Sequence, residues 1–308
     1  MARNPLRIVS TDAGLDDALA LILLHHCSPQ PIDVIVATGG NVRAELVGNN
    51  CAFLAERFGF TARLFAGTDP PDTGESSDAA HVHGPYGLAH LQPPAVSLPP
   101  FAELRAELLA SDADVELLVL GPATDAAALL RAGVPLTRPV LMGGAFGKRG
   151  GRLGNVTPFA EFNVYMEPGA AWSVMRAAPD CRFIPLDATE NRLFGAAELL
   201  EGTSGPLGRL IADFVTYLRD AHVRLGIGDG VFMHDVLAAA IWADLISAEW
   251  RQALVREVVA AGPRRGMIVR RSGPAGAHPD ACRVTYARRA DEAAFLALWR
   301  RTCRAVCV

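Results

Sequence analysis

Residues 6–26 read LRIVSTDAGLDDALALILLHH. Leu6, Ile8 and Val9 make a short apolar run of strand length, Gly14 permits a tight turn, and from Asp16 the apolar residues continue as a buried helix would. A strand feeding a helix through a short turn is the start of a βαβ unit. The same alternation recurs downstream. IDVIVAT (32–38) precedes RAELVGNNCAFLAERFG (43–59), and VELLVLG (115–121) precedes TDAAALLRAG (124–133). PVLMGG (139–144) follows, then EPGAAWSVMRAA (167–178) before RFIPLDAT (182–189). This order predicts an α/β fold of βαβ units, with a mostly parallel sheet and helices on both faces; the length suits one large domain or two smaller ones, and no repeat or linker splits the chain. In such sheets ligands bind beyond the C-terminal ends of the strands. The loop-rich piece at 66–100 is expected to cover one edge or mouth, and the glycine-punctuated RLGIGDGVFMH (224–234) to be mobile. Strand-like EVVAAG, MIVRR and RVTYA and a last amphipathic helix from Asp291 complete the chain.

The totals narrow the function. Half of the 308 residues are hydrophobic and a fifth charged, which supports a sizeable core and excludes disorder as the main state. A net charge of −4 offers no basic excess for a phosphate backbone, so nucleic acid is not an expected partner. No apolar run approaches the roughly 20 residues of a membrane span, and MARNPLRIV lacks the apolar core of a signal peptide, so a cytoplasmic protein without membrane partners is expected. The cysteines (Cys27, Cys51, Cys181, Cys282, Cys303 and Cys307) form no CxxC pair and read as free, mostly buried thiols.

The turn itself raises a chemical question, because Asp12, Asp16 and Asp17 crowd three carboxylates into six positions. One aspartate at a helix start caps free N–H groups and faces the positive end of the helix dipole. Three exceed that need. A hard divalent cation relieves their repulsion, and oxygen donors favour calcium or magnesium over zinc. His234-Asp235, opening a helix after the glycine-rich loop, is the strongest remote addition, with a second cap as its alternative reading. A backbone carbonyl at Leu120, before Gly121-Pro122, is another candidate ligand.

Several stretches match one family in order. STDAGLDDALAL resembles the DxDxxxDDA opening of the inosine-uridine preferring nucleoside hydrolases, and VATGGNV their strand ending in GN. HVHGPYG resembles their His-x-His-Gly loop, LVLGPATD their GPLTN turn, and MGGAFGKRGGRLGNVTPFAEFN their MGG, GN and AEFN blocks; His234-Asp235 stands at their late HD. The resemblance implies an α/β fold, a single open domain over residues 1–308 with a mixed, mainly parallel central sheet flanked by helices. It also implies hydrolysis of the N-glycosidic bond of ribonucleosides in purine and pyrimidine salvage, one bound Ca2+, and a homodimer or homotetramer. It makes Asp12 both a calcium ligand and the general base toward a metal-bound water, with Asp17, Asp235 and the Leu120 carbonyl as further ligands. Asp16 is assigned to the region of the ribose 2-hydroxyl with Asn41 close by. Asn155, Glu161 and Asn163 are assigned to a clamp on the 5- and 3-hydroxyls, and His83 and His234 to the nucleobase. Oxocarbenium-like charge on the sugar suits such a carboxylate-rich pocket, and because histidine as a residue type changes charge near working pH, His234 is the expected proton donor to the leaving base.

The chain departs from the pattern at named places. Ser10 replaces the first aspartate, Ala13 the usual proline, Asp125 the asparagine of GPLTN, and MEPGAA the common DPEAA. Ser10 is expected to alter metal affinity, Ala13 to loosen the turn slightly. LGIGDGVFM is read as lacking a base-gripping aromatic residue, with Tyr217, His222 and Arg224 as substitutes or as plain helix-surface residues. Rival chemistries lack their key groups. A phosphatase of the haloacid dehalogenase type needs a nucleophilic aspartate where Ser10 stands. GGAFGKRGG has Met142 and Arg149 where a P-loop needs Gly and Ser or Thr, and reads as a flexible loop. No G-x-G-x-x-G follows the first strand. A non-catalytic nucleoside-binding protein on the same fold is the alternative function.

Overall fold

The computed structural model describes residues 5–70, 79–147, 154–178, 180–272 and 280–306. The strands are β1 (Leu6–Thr11), β2 (Val34–Ala37), β3 (Arg63–Ala66), β4 (Val115–Val119), β5 (Val140–Met142), β6 (Arg182–Ile184), β7 (Ala248–Val258), β8 (Ile268–Arg271) and β9 (Cys282–Ala290). The helices are α1 (Leu15–Cys27), α2 (Ala44–Phe58), α3 (Ala80–His83), α4 (Phe101–Leu109), α5 (Thr124–Arg131), α6 (Phe162–Met166), α7 (Pro168–Ala177), α8 (Leu186–Thr189), α9 (Ala196–Leu199), α10 (Gly205–Arg224), α11 (His234–Trp242) and α12 (Glu292–Val306).

The strands form one sheet in the order β3-β2-β1-β4-β5-β6-β9-β7-β8. It is parallel from β3 through β9 and turns antiparallel at β9, β7 and β8, so it is mixed and mainly parallel. The chain runs outward from β1 through β2 to β3, then returns to place β4 on the other side of β1. Between β1 and β4 the following connections diverge, and that divergence opens a crevice at the strands' C-terminal ends.

Alternation along the strands feeds two cores. Val9, Ile35 and Leu118 face a layer made by α1, α2, α10, α11 and α12, while Ile8, Val34, Val36, Leu117 and Val119 face α4, α5 and α7. Helix α1 is buried all round from Leu15 to Leu24, packed on α11 and α12, which explains its unbroken apolar sequence. That packing fixes the first turn of α1, with Asp16 and Asp17, against the first turn of α11, with Asp235.

Two local expectations change. Ala13 has φ 34°, a left-handed conformation outside the reach of a proline ring, so alanine here sets a different turn rather than a looser one. The segment 224–234 is tied to the body by paired hydrogen bonds between Phe194 and Val231, N to O at 3.0 and 2.8 Å. The glycine-lysine stretch from 148 onward, up to residue 153, lies outside the described residues. Among the described cysteines, Cys27, Cys51, Cys181 and Cys282 are free thiols, and Cys51, Cys181 and Cys303 are buried; Cys307 lies outside the described residues. Among the described residues no helix is long and apolar enough to cross a membrane.

Candidate active site

At the β1–β4 switch point lies a cavity of about 300 Å³. It is lined by Asp12, Asp16, Asn41, His83, Leu120, Asn155, Glu161, Asn163, His234 and Asp235, ten residues singled out by sequence. Asp17 sits directly behind them, fully buried.

The polar floor is built from strand ends. Asp12 follows β1 and accepts a hydrogen bond from the Asn41 N–H at 2.8 Å. Asp17 accepts from the Thr11 hydroxyl at 2.5 Å, the Gly14 N–H at 2.9 Å and Asn41 Nδ2 at 3.2 Å. The Gly14 bond is the reciprocal half of a helix cap, so part of Asp17 is explained by capping. The rest is not. Asp16, Asp17 and Asp235 bring one carboxylate oxygen each within 4.8 Å of the others, all buried, and Asp12 is close enough to feel both Asp16 and Asp17.

Electrostatics follow from that crowding. Burial, then the neighbouring Asp17, pushes the Asp12 carboxyl well above its ordinary value; burial, then Asp16, does the same for Asp235. Asp16 is pushed up to about 6 by burial and Asp17, with His234 opposing. Carboxylates so raised gain when protons or a cation neutralise them, and a set of oxygen donors fits a hard divalent ion. The residues present therefore fit a metal ion.

One wall holds the polar groups assigned to ribose. Glu161 caps the short α6, its oxygens accepting from the N–H groups of Asn163 at 2.8 Å, Val164 at 3.1 Å and Gly144 at 2.8 Å. It thereby holds Asn163, whose Nδ2 donates to the Leu120 carbonyl at 2.6 Å and to the Met142 carbonyl at 3.2 Å. Gly144, at φ 84°, makes the turn that brings its N–H to Glu161. Asn155 lies exposed at the rim, its Oδ1 accepting from Phe162 N–H at 3.0 Å.

The opposite wall is aromatic and aliphatic. His83, delivered by α3, accepts the Leu15 N–H at Nδ1 (3.0 Å), and burial lowers its pKa to about 4. It is therefore neutral, and its 3.8 Å approach to Asp16 is not an ion pair. His234 Nδ1 pairs with the Thr189 hydroxyl at 2.8 Å. Phe232 stands between His222 and His234, each ring centroid 5.7 Å away. The base loop thus supplies its own aromatic residue, which overturns the expectation that it lacks one; Phe232 lies two positions before His234 and was legible there. His222 also lines the cavity, as do Glu190, Val82, Leu218, Leu225 and Ile227, none of which carries a motif signal. Tyr217 instead packs edge-on against His90, with Arg224 over its ring.

Comparisons with known proteins agree with this geometry. The family model for inosine-uridine preferring nucleoside hydrolase matches residues 7–297. Uridine nucleosidase 1 of Arabidopsis thaliana is 29% identical over 276 residues, covering 83% of this chain and 79% of the relative. The non-specific ribonucleoside hydrolase RihC of Salmonella paratyphi A is 29% identical over 244 residues, covering 76% and 77%. The solved plant nucleoside hydrolase PpNRh1 superposes with a TM-score of 0.81 at 21% identity, covering 98% of this chain and 99% of that one. With its switch-point carboxylates, its fold and a match over nearly its whole length, the chain belongs to the inosine-uridine preferring nucleoside hydrolases, N-ribohydrolases that cleave ribonucleosides at the N-glycosidic bond.

Proposed function

We propose that this hydrolysis uses Asp12 as general base at a site holding a calcium ion through Asp12, Asp17, Asp235 and the carbonyl of Leu120. The observation that carries the reading is the burial of four carboxylates around one point of the sheet, a charge density that calls for a cation. When bound, calcium supplies an anchor for the ribose diol and acidifies the water beside it.

The chain's own groups do the rest. Asp12 accepts the proton of the attacking water. Asp16 and Asn41 receive the 2-hydroxyl side of the ribose. Asn155 and Asn163 hold the other hydroxyls, with Glu161 fixing Asn163 as well as facing the cavity. The surrounding oxygens stabilise positive charge developing on the sugar. Protonated at both ring nitrogens, His234 donates Nδ1–H to the Thr189 hydroxyl and passes its Nε2 proton to the departing base, ending neutral, while neutral His83 offers a hydrogen bond without a charge. Phe232 and the aliphatic wall grip the base.

The test is release of reducing sugar from inosine, uridine, cytidine and adenosine, with calcium and with a chelator. Ribose is expected from at least one nucleoside with calcium, and at least a hundredfold less in chelator, the lower end of what loss of acid-base machinery costs (about 10²-fold). Undiminished release in chelator contradicts the metal assignment. Nucleoside binding without ribose in either condition favours the non-catalytic alternative.

A further inference from the structure

Behind the Asp12 turn lies a buried carboxylate that the mechanism above does not use. Asp125, in the first turn of α5, is 1% exposed. Its Oδ2 accepts from the Thr38 hydroxyl at 2.6 Å and from the Thr68 N–H at 3.2 Å, while its Oδ1 is buried without a hydrogen-bond partner among the described residues. Thr38 Oγ1 also meets Ser10 Oγ at 2.7 Å. A hydroxyl has one proton; with that of Thr38 given to Asp125, Ser10 donates to Thr38. The bridge therefore runs Ser10 to Thr38 to Asp125 and carries a single acid. The resemblance puts an acid at position 10 and an amide at 125, so this chain has its acid at the other end of the same bridge.

Thr38 begins a strap that crosses the site. Its N–H donates to the Thr11 carbonyl at 2.9 Å, and Gly39 N–H to the Thr68 carbonyl at 3.1 Å. A Cβ on Gly40 would lie 2.2 Å from Asp12 Oδ2, so the strap rests directly on that carboxylate. It ends at Asn41, which donates to both Asp12 and Asp17. Asp125 thus holds the start of the strap and, through Thr68, the segment it leans on.

We propose that Asp125 is a positioning residue for the candidate cation site: through Thr38 it supplies from α5 the carboxylate absent at Ser10, and it fixes the strap that aims Asn41 at Asp12 and Asp17. This rests on the reading of Asp12, Asp17 and Asp235 as cation ligands.

The experiment measures terbium affinity by luminescence, below the melting transition, for the parent, Asp125→Asn, Ser10→Asp and the double variant. Asp125→Asn is expected to weaken binding about tenfold, the worth of one charge-assisted hydrogen bond, and adding Ser10→Asp to restore it to within about threefold. Ser10→Asp alone should not strengthen binding, because two buried acids then compete for one Thr38 proton. Parent-like affinity of Asp125→Asn, no rescue in the double variant, or equal strengthening by Ser10→Asp in both backgrounds overturns the proposal. Should Asp125→Asn not fold, Thr38→Val takes its place: about tenfold loss is expected, with Thr38→Ser retaining parent affinity. Equal affinities of those two overturn it as well. A parent that does not bind terbium refutes the cation reading. Metal-free melting then still tests the bridge, with the double variant expected to melt above Ser10→Asp and additive shifts counting against it.

Discussion

Asp16 allows a worked test of the carboxylate cluster. Its carboxyl is buried and pushed up to about 6 from an ordinary 3.8, first by burial and then by Asp17. In the cation-free protein the folded chain therefore holds this proton more tightly than the unfolded chain does. Stability falls as pH rises between 3.8 and about 6, and the loss is complete above that window. Roughly two pH units at about 1.4 kcal/mol each give about 3 kcal/mol. Asp16→Asn, a neutral side chain of the same shape, should raise cation-free stability at pH 7.5 by up to about 3 kcal/mol, and by under about 1 kcal/mol at pH 4, where the folded parent is already protonated. With an unfolding entropy of roughly 0.65 kcal/mol/K for a chain of this length, the gain at pH 7.5 is about 5 °C in melting temperature. Calorimetry in chelator at both pH values reads it directly. Added calcium should then favour the parent, which keeps the fuller set of charges. An Asp16→Asn variant that melts below the parent at pH 7.5 without cation, or that shifts equally at both pH values, refutes the reasoning.

The aromatic wall gives two more predictions. His234→Ala should slow inosine hydrolysis about 10²-fold, yet change p-nitrophenyl riboside hydrolysis only a few-fold, because that leaving group departs without a proton; equal losses on both substrates would remove the acid role. Phe232→Ala should raise KM for nucleosides about tenfold, within the roughly 1–3 kcal/mol of a base-aromatic stack, and leave calcium affinity unchanged. Parent-like KM values would take Phe232 out of the base contact.

What the sequence disclosed and what it concealed divide along physical lines. The β1–α1 turn was legible because strand period, a turn glycine and an apolar helix follow one another within 21 residues, and because three acids exceed what one cap requires. Asp235 could be paired with that turn only through the fold rule that sites gather at strand ends, and the packing of α1 on α11 is what joins them. The cavity's far wall was not legible in the same way. Leu218, Leu225 and Ile227 look like any amphipathic helix end, and Glu190 follows β6 without a motif. Phe232 follows Gly226, Gly228 and Gly230, and the glycines make that stretch read as plain loop. The Ser10–Thr38–Asp125 bridge links positions 115 residues apart through a hydroxyl that carries no sequence signal. The positive φ of Ala13 is a property of the closed turn, which no single-residue preference announces. Strand β7 also runs longer than EVVAAG, because exposed Arg251 and Gln252 hide its period on a half-covered sheet.

The most direct measurement of the central claim is single-turnover hydrolysis of inosine by Asp12→Ala at saturating calcium, beside a binding isotherm for inosine on the same protein. The account predicts a rate at least about 10³-fold below the parent with folding and nucleoside binding retained, since removing the base leaves the pocket but not the proton acceptor. A rate within a few-fold of the parent would contradict it.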